Sequence, residues 1–220
     1  MNILITAATK HELALPQNEL NCVNNRTVVN NNSVQFAVTG VGITATAYHL
    51  TKLLAQNKFD LLLNIGIAGS FSQIISIGDT IVVESELFAD WGVHTPNGFR
   101  TVFEENIVKN TLPFIDGELK CKHINPYIDL QKYKRVKGIT VNAASGEREQ
   151  IKLLRGKFNP DIESMEGAAF FYVCIMENIP FIEIRSISNM VEERDKSRWD
   201  IPLAINNLSK SLKSFLYSLG

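Results

Sequence analysis

Apolar strand-like runs alternate with helix-spaced segments along this 220-residue chain, and that order predicts a three-layer α/β fold. Two observations carry the prediction. Residues 34–39 and 61–65 are short apolar runs that stop at glycine turns, Gly40-Val41-Gly42 and Gly66-Ile67-Ala68-Gly69. Residues 167–177 and 181–187 then place an apolar helix directly before an apolar strand.

The elements follow in order. Residues 2–8 read as a short buried strand. Residues 9–15 read as one or two helical turns closed by Pro16, which lacks a backbone donor. Residues 21–32 are asparagine-rich, as hairpins and turns are. Residues 43–56 are helical, with Ala47, Leu50, Leu53 and Leu54 recurring on one face. Residues 61–65 are apolar without alternation, as in a strand covered on both sides, and Gly66 breaks that strand. Another strand, residues 81–83, follows the Gly78-Asp79 turn. Residues 90–133 mix turn formers with aromatics, which suits an active-site loop region. Residues 136–141 return to strand, and residues 148–158 form a helix that stops before Pro160. Residues 201–219 form an amphipathic helix carrying Ala204, Leu208, Leu212 and Leu216, with Pro202 in its first turn. No repeat or linker divides the chain, so one domain over 1–220 is expected.

Composition narrows the function. The chain is 45% hydrophobic and 20% charged, an ordinary globular balance. A formal charge of -1 gives no electrostatic footprint for nucleic acid or an anionic membrane. Lys132 to Lys137 read as a solvated face. Cys22, Cys121 and Cys174 stand far apart, without zinc or disulfide spacing, and His11, His49, His94 and His123 show no metal pattern. No metal or cofactor is expected. The first residues lack a basic or long apolar leader, which predicts a cytoplasmic protein.

Candidate chemistry sits at element ends. Glu12 follows the first strand, where α/β proteins bind ligands, or else it is a surface glutamate. Glu166 precedes a helix with almost no polar face; it reads as a site carboxylate or as a charge complementing the helix dipole. Arg185 ends an apolar strand and needs an anion, either a ligand or a structural partner such as Glu183. Ser188 and Asn189 complete that polar cluster. Ser145-Gly146-Glu147 fits a loop or a helix N-cap.

Taken as an ordered set, these segments resemble the nucleoside phosphorylase/nucleosidase family. The set comprises Ala7-Ala8 through Glu12, Gly40-Val41-Gly42, Asn64 to Gly69, Gly78-Asp79, Ser145-Gly146, Met165-Glu166 and Arg185 to Asn189. The nearest branch is the methylthioadenosine/S-adenosylhomocysteine nucleosidases. The longer stretches Glu163 to Ala169 and Ser188 to Asp195, with Trp199 nearby, look more like the futalosine hydrolases, which serve the alternative menaquinone pathway. The resemblance implies a three-layer sandwich with a central mixed β-sheet flanked by helices, and a homo-oligomer, commonly a dimer. It implies that Glu12 activates water, Glu166 holds the ribose hydroxyls, Met165 lies against the sugar, and Arg185 fixes the water and the carboxylates. The backbone at Ala68 and Gly69 would line the sugar end, with Ser145, Gly146 and Ser188 also at the substrate.

Three departures from the nucleosidase pattern bear on chemistry. Asn189 replaces an aspartate. An amide both donates and accepts, so it suits a 6-oxopurine such as hypoxanthine, the base of futalosine. Ile67 replaces a serine, and Glu149 and Gln150 stand where apolar residues face adenine. The glycine turns have no adjacent arginine, which favours water over phosphate as nucleophile, although Arg26 or Arg100 could fold back to a phosphate. Trp91, His94, Arg100, Arg194 and Arg198 are candidates for the 5′ arm of futalosine. A methylthioadenosine/S-adenosylhomocysteine nucleosidase, a purine nucleoside phosphorylase and a non-catalytic binder are the alternatives.

Overall fold

The computed structural model describes residues 1–121, 130 and 132–219. His123 lies outside the described residues. A nine-stranded sheet contains β1 (Asn2–Ala7), β2 (Arg26–Val29), β3 (Asn32–Val38), β4 (Leu61–Ser70), β5 (Thr80–Phe88), then, beyond a small hairpin of β6 (Gly92–Thr95) and β7 (Gly98–Thr101), β8 (Leu119–Lys120), β9 (Lys134–Thr140), β10 (Ile162–Ser164) and β11 (Phe181–Met190). Its order is β10-β9-β5-β11-β4-β1-β3-β2, with β8 beside β5. β11, β4, β1 and β3 run parallel, whereas β5 and β11 pair antiparallel, so the sheet is mixed. β10 also pairs antiparallel with β4, which curls that end of the sheet into a ring.

Helices cover both faces. α1 (Lys10–Glu19) and α5 (Ile201–Ser218) pack together on one side, where Leu13, Leu208 and Leu212 meet Ile3, Ile5 and Leu63. α2 (Ile43–Gln56) and α4 (Gly167–Met176) cover the other side, where Leu50 and Phe170 meet Leu4 and Leu62. Adjacent residues of β1 and β4 thus feed opposite cores, which is why these strands read as unbroken apolar runs. α3 (Arg148–Phe158) closes the ring end through Ile151 and Leu154 against Leu87 and Ile139. This is the three-layer arrangement expected, and no helix among the described residues is long and apolar enough to cross a membrane.

Three local expectations need correction. α1 does not stop at Pro16 but runs through it to Glu19. The missing donor at Pro16 leaves one helical bond unmade, and burial of Leu13 and Pro16 offsets the loss. β4 does not break at Gly66. β11 pairs with it residue by residue from Phe181↔Leu62 to Met190↔Ser70, and those backbone bonds carry the strand across both glycines. The region from residue 90 holds the β6–β7 hairpin and β8, too short to show a period. The asparagine-rich stretch is a hairpin as expected: Asn30 and Asn31, at φ 45 and 61, form its turn, a conformation asparagine tolerates well.

Candidate active site

The C-terminal ends of β1, β4 and β11 open onto a cavity of about 380 Å³, the usual place for a ligand in a parallel α/β sheet. Glu12, Ala68, Gly69, Ser145, Met165, Glu166, Ser188 and Asn189 all line it. Residues more than 150 positions apart in the chain therefore face one space. Arg185 and Gly146 do not line it.

Glu12 is placed by its own helix start. Thr9 is the N-cap of α1; its hydroxyl accepts the Glu12 N–H at 3.3 Å, and the Glu12 carboxylate reaches back. Glu12 Oε2 accepts from Thr9 N at 3.0 Å and from Thr9 Oγ1 at 2.8 Å, while Oε1 accepts from Ile67 N at 3.2 Å. This reciprocal capping box fixes the carboxylate without using all its lone pairs. The Ile67 contact comes from the backbone, so it does not depend on a serine at that position.

Glu166 is the N-cap of α4, but its side chain makes no capping bond. Oε1 instead accepts from Gly42 N at 3.0 Å, across 124 residues, and Oε2 lies 3.7 Å from Arg185 Nη1. Arg185 is 1% exposed. Its Nε donates to Glu183 Oε1 at 2.7 Å and its Nη2 to Asn64 Oδ1 at 2.6 Å. Of the two readings of Arg185 the structural one holds: it pairs with Glu183, has Glu166 beside it, and does not line the cavity where a ligand would sit. Burial alone would weaken its hold on the proton; the carboxylates of Glu183 and Glu166 reverse that and keep it charged. Gly66 makes the arrangement possible. A Cβ there would stand 2.2 Å from Arg185 Nη1 and 2.9 Å from Glu12 Oε1.

The opposite end is polar in another way. A bulge between Ile187 and Asn189 on β11 re-aims the Asn189 amide. Asn189 Oδ1 accepts from Ser188 Oγ at 2.8 Å, and Nδ2 donates to the Met190 carbonyl at 3.0 Å. Ser145 does not cap α3; its N–H and hydroxyl both donate to Glu163, another cavity residue. Burial pushes the Glu163 carboxyl above its ordinary range, against the two Ser145 bonds, and Asp90 adds to the rise. Gly146 gives room to Arg194, whose Cβ would lie 3.0 Å from a Cβ at that position. Val191, Trp199, Ile201 and Ile205 supply an apolar wall.

Sequence reasoning passed over Thr9 and Glu163. Thr9-Lys10-His11-Glu12 carries the capping-box spacing, a usable signal; Glu163 had none beyond its place in an acidic stretch. The 5′-arm candidates scatter. Arg100 pairs with Glu105 and Arg198 with Glu192. Trp91 packs among Phe88, Phe103 and Phe114, and His94 beside Phe99. Arg194 alone lies by the cavity, its guanidinium 5.4 Å from the Trp199 ring centre. Arg26 bonds Gln35 at the far sheet edge. Glu149 and Gln150 line a separate hollow with His94 and Phe99. Among the described residues no cluster of three or more His, Cys, Asp or Glu could hold a metal.

The model of the phosphorylase superfamily matches residues 3–217. The chain belongs to that superfamily. It is 29% identical over 189 residues to futalosine hydrolase of Thermus thermophilus, covering 83% of this chain and 80% of the relative. It is 31% identical over 216 residues to 5′-methylthioadenosine/S-adenosylhomocysteine nucleosidase of Maridesulfovibrio salexigens, covering 90% and 89%. Native futalosine hydrolase of Helicobacter pylori superimposes with a TM-score of 0.81 at 18% identity, over 100% of this chain and 98% of that one. The expectation of an N-glycosyl hydrolase is borne out by this family placement. Identity alone does not separate the two substrate classes, since both relatives match about equally well.

Proposed function

We propose that the protein hydrolyses the N-glycosidic bond of futalosine, releasing hypoxanthine, in the futalosine route to menaquinone. The observation that carries hydrolysis is the cavity's charge. Three carboxyl residues, Glu12, Glu163 and Glu166, line it, and none of its described lining residues is an arginine or lysine. A phosphate dianion would meet carboxylates where a phosphorylase offers cations. Positive charge building on a ribose ring would meet the field it needs.

The roles follow from the geometry. Glu12, held by Thr9 and Ile67, takes a proton from the attacking water; such general base help contributes typically ~10²–10⁴-fold. Glu166, held by Gly42 and backed by Arg185, accepts from the ribose hydroxyls and stabilises the cationic sugar. Met165, with the backbone of Ala68 and Gly69, packs on the sugar. At the base, Asn189 donates to the C6 oxygen and its Oδ1 accepts from N7–H once the departing base has taken a proton from solvent water, with Ser188 steadying the amide. An amide also suits Met190, whose carbonyl would face a carboxylate oxygen if residue 189 were aspartate. That contact uses one amide hydrogen, and the second can donate to a C6 oxygen, which supports a 6-oxopurine over adenine.

We place the enzyme in the cytoplasm and, as part of the same proposal, as a homodimer. Exposed Val41, Tyr48, Trp91 and Tyr172 beside a hollow lined by Ile43, Ala47 and Ala169 support an assembly face. Light scattering in solution checks this.

The deciding assay follows base release from futalosine, methylthioadenosine and inosine, with and without phosphate. Hypoxanthine from futalosine in phosphate-free buffer is the expected result. Adenine release from methylthioadenosine as the main activity, or a phosphate requirement, overturns the proposal.

A further inference from the structure

Two acids that the proposed reaction does not use lie behind the sugar end. Glu86 on β5 and Glu183 on β11 are both 0% exposed, a rare placement for carboxyl groups. Their packing leaves no slack. A Cβ at Gly138 would stand 2.2 Å from Glu86 Oε1, and one at Gly167 would stand 2.3 Å from the same oxygen and 2.8 Å from Glu183 Oε1. Glycines on β9 and at the start of α4 thus clear the space that the two acids fill. Glu86 Oε2 accepts from Thr140 Oγ1 at 2.8 Å, and Glu183 Oε1 accepts from Arg185 Nε at 2.7 Å. The remaining oxygens, Glu86 Oε1 and Glu183 Oε2, have no hydrogen-bond partner among the described residues.

An orphaned carboxylate oxygen is costly in a sealed interior, but a carboxyl that keeps its proton becomes a donor. The charges around the pair say which acid keeps it. The groups facing it are Arg185, Glu166 and the Thr140 hydroxyl, with the Cys174 thiol on α4 beside Glu183. Among the described residues Arg185 is the one cation acting on either acid, and it bonds Glu183 directly. Burial raises both carboxyls; for Glu86 the Glu183 charge adds to the rise, whereas for Glu183 the guanidinium opposes it.

We infer that Glu86 and Glu183 form a sealed pair sharing one proton, in which neutral Glu86 braces the Glu183 carboxylate and Glu183 holds Arg185 behind Glu166. Both are positioning residues, since neither lines the cavity. The activity arm of the test rests on the hydrolase proposal; the proton arm does not.

The proton arm compares the chemical unfolding of wild type and Glu86→Gln from about pH 5 to about pH 8. A proton kept by the folded chain and lost by the unfolded one lowers stability as pH rises above the ordinary carboxyl range, until the folded group itself ionises. Glu86→Gln carries no such proton. Its unfolding constant should therefore fall relative to wild type by up to about tenfold per pH unit in that window. A constant offset between the two profiles overturns the inference. If Glu86→Gln does not fold, calorimetric unfolding of the wild type near pH 7, in buffers of different ionisation enthalpy, should show release of about one proton; release of none overturns it.

The activity arm uses Glu183→Gln, which removes the carboxylate bonded to Arg185 and turns more of its charge towards Glu166 and Glu12. The acidic limb of the kcat/KM profile should move to lower pH, and kcat should fall by about tenfold or more. An unmoved profile with unchanged kcat removes the positioning role. If wild type turns over no nucleoside, the hydrolase proposal fails while the proton measurement still stands.

Discussion

On the side of the cavity nearest Arg185, Glu12 accepts from the N–H groups of Ile67 and Thr9 and from the Thr9 hydroxyl, and Glu166 accepts from the Gly42 N–H, at the lip of α2. On the other side, Asn189 accepts from the Ser188 hydroxyl and donates to the Met190 carbonyl, and Glu163 accepts from the N–H and hydroxyl of Ser145, so these ties are mostly local in sequence. The Ile67 and Gly42 N–H groups reach across 55 and 124 residues and cannot rotate away, so under the proposed reaction both carboxylates are fixed before substrate arrives. Hydroxyl partners can reorient, and residues beside them can change without disturbing the sheet. Under the proposed function the first side would set the rate and the second the selectivity, and substitutions test that division.

Glu12→Gln should have the largest effect. It keeps the Thr9 bonds but sets an amide NH2 against the Ile67 N–H and removes the base, so kcat should fall by ~10²–10⁴-fold with a loss of stability of about 1–3 kcal/mol. A rate within threefold of wild type would remove Glu12 from the mechanism. Gly66→Ala should follow, because the added methyl meets an arginine fixed at both Nε and Nη2. Overpacking of this kind costs about 1–3 kcal/mol, read by denaturant unfolding, and should displace both Arg185 and Glu12, with activity down about 10²-fold. Asn189→Asp should reduce kcat/KM for futalosine by at least about tenfold, since it loses the donor for the C6 oxygen. Equal futalosine kinetics would show that the base is read elsewhere. Glu163→Gln should be mildest: the tie to Ser145 weakens, KM rises by about threefold to tenfold, and kcat holds. A large kcat loss there would mean that the base end also contributes to the rate.

Legibility followed the patterning of the elements rather than that division, since Ser145, Ser188 and Asn189 were also legible. The acids at 12 and 166 and the arginine at 185 stand at ends of strongly patterned elements, so the sequence exposed them. The layers were readable because β1, β4 and β11 feed two cores and look apolar throughout. β4 was misread at Gly66 because its glycines serve neighbouring side chains rather than a turn. β10 has three residues and no period, so Glu163 gave no sign that it faces the cavity. Glu86 and Glu183 look like any strand glutamate; only three-dimensional packing shows them sealed. Arg100 and Arg198 have acidic neighbours in sequence and found them, the ordinary fate of surface arginines.

Gly42 N–H to Glu166 and Arg185 to Asn64 each span more than a hundred residues. No single hairpin or helix pair can assemble this constellation in advance. Turnover should therefore vanish in any partly unfolded form that loosens one half of the sheet, even where most helices survive. Loss of activity in dilute denaturant should then precede or coincide with loss of circular dichroism, making catalysis a sensitive gauge of whether the chain is complete and intact.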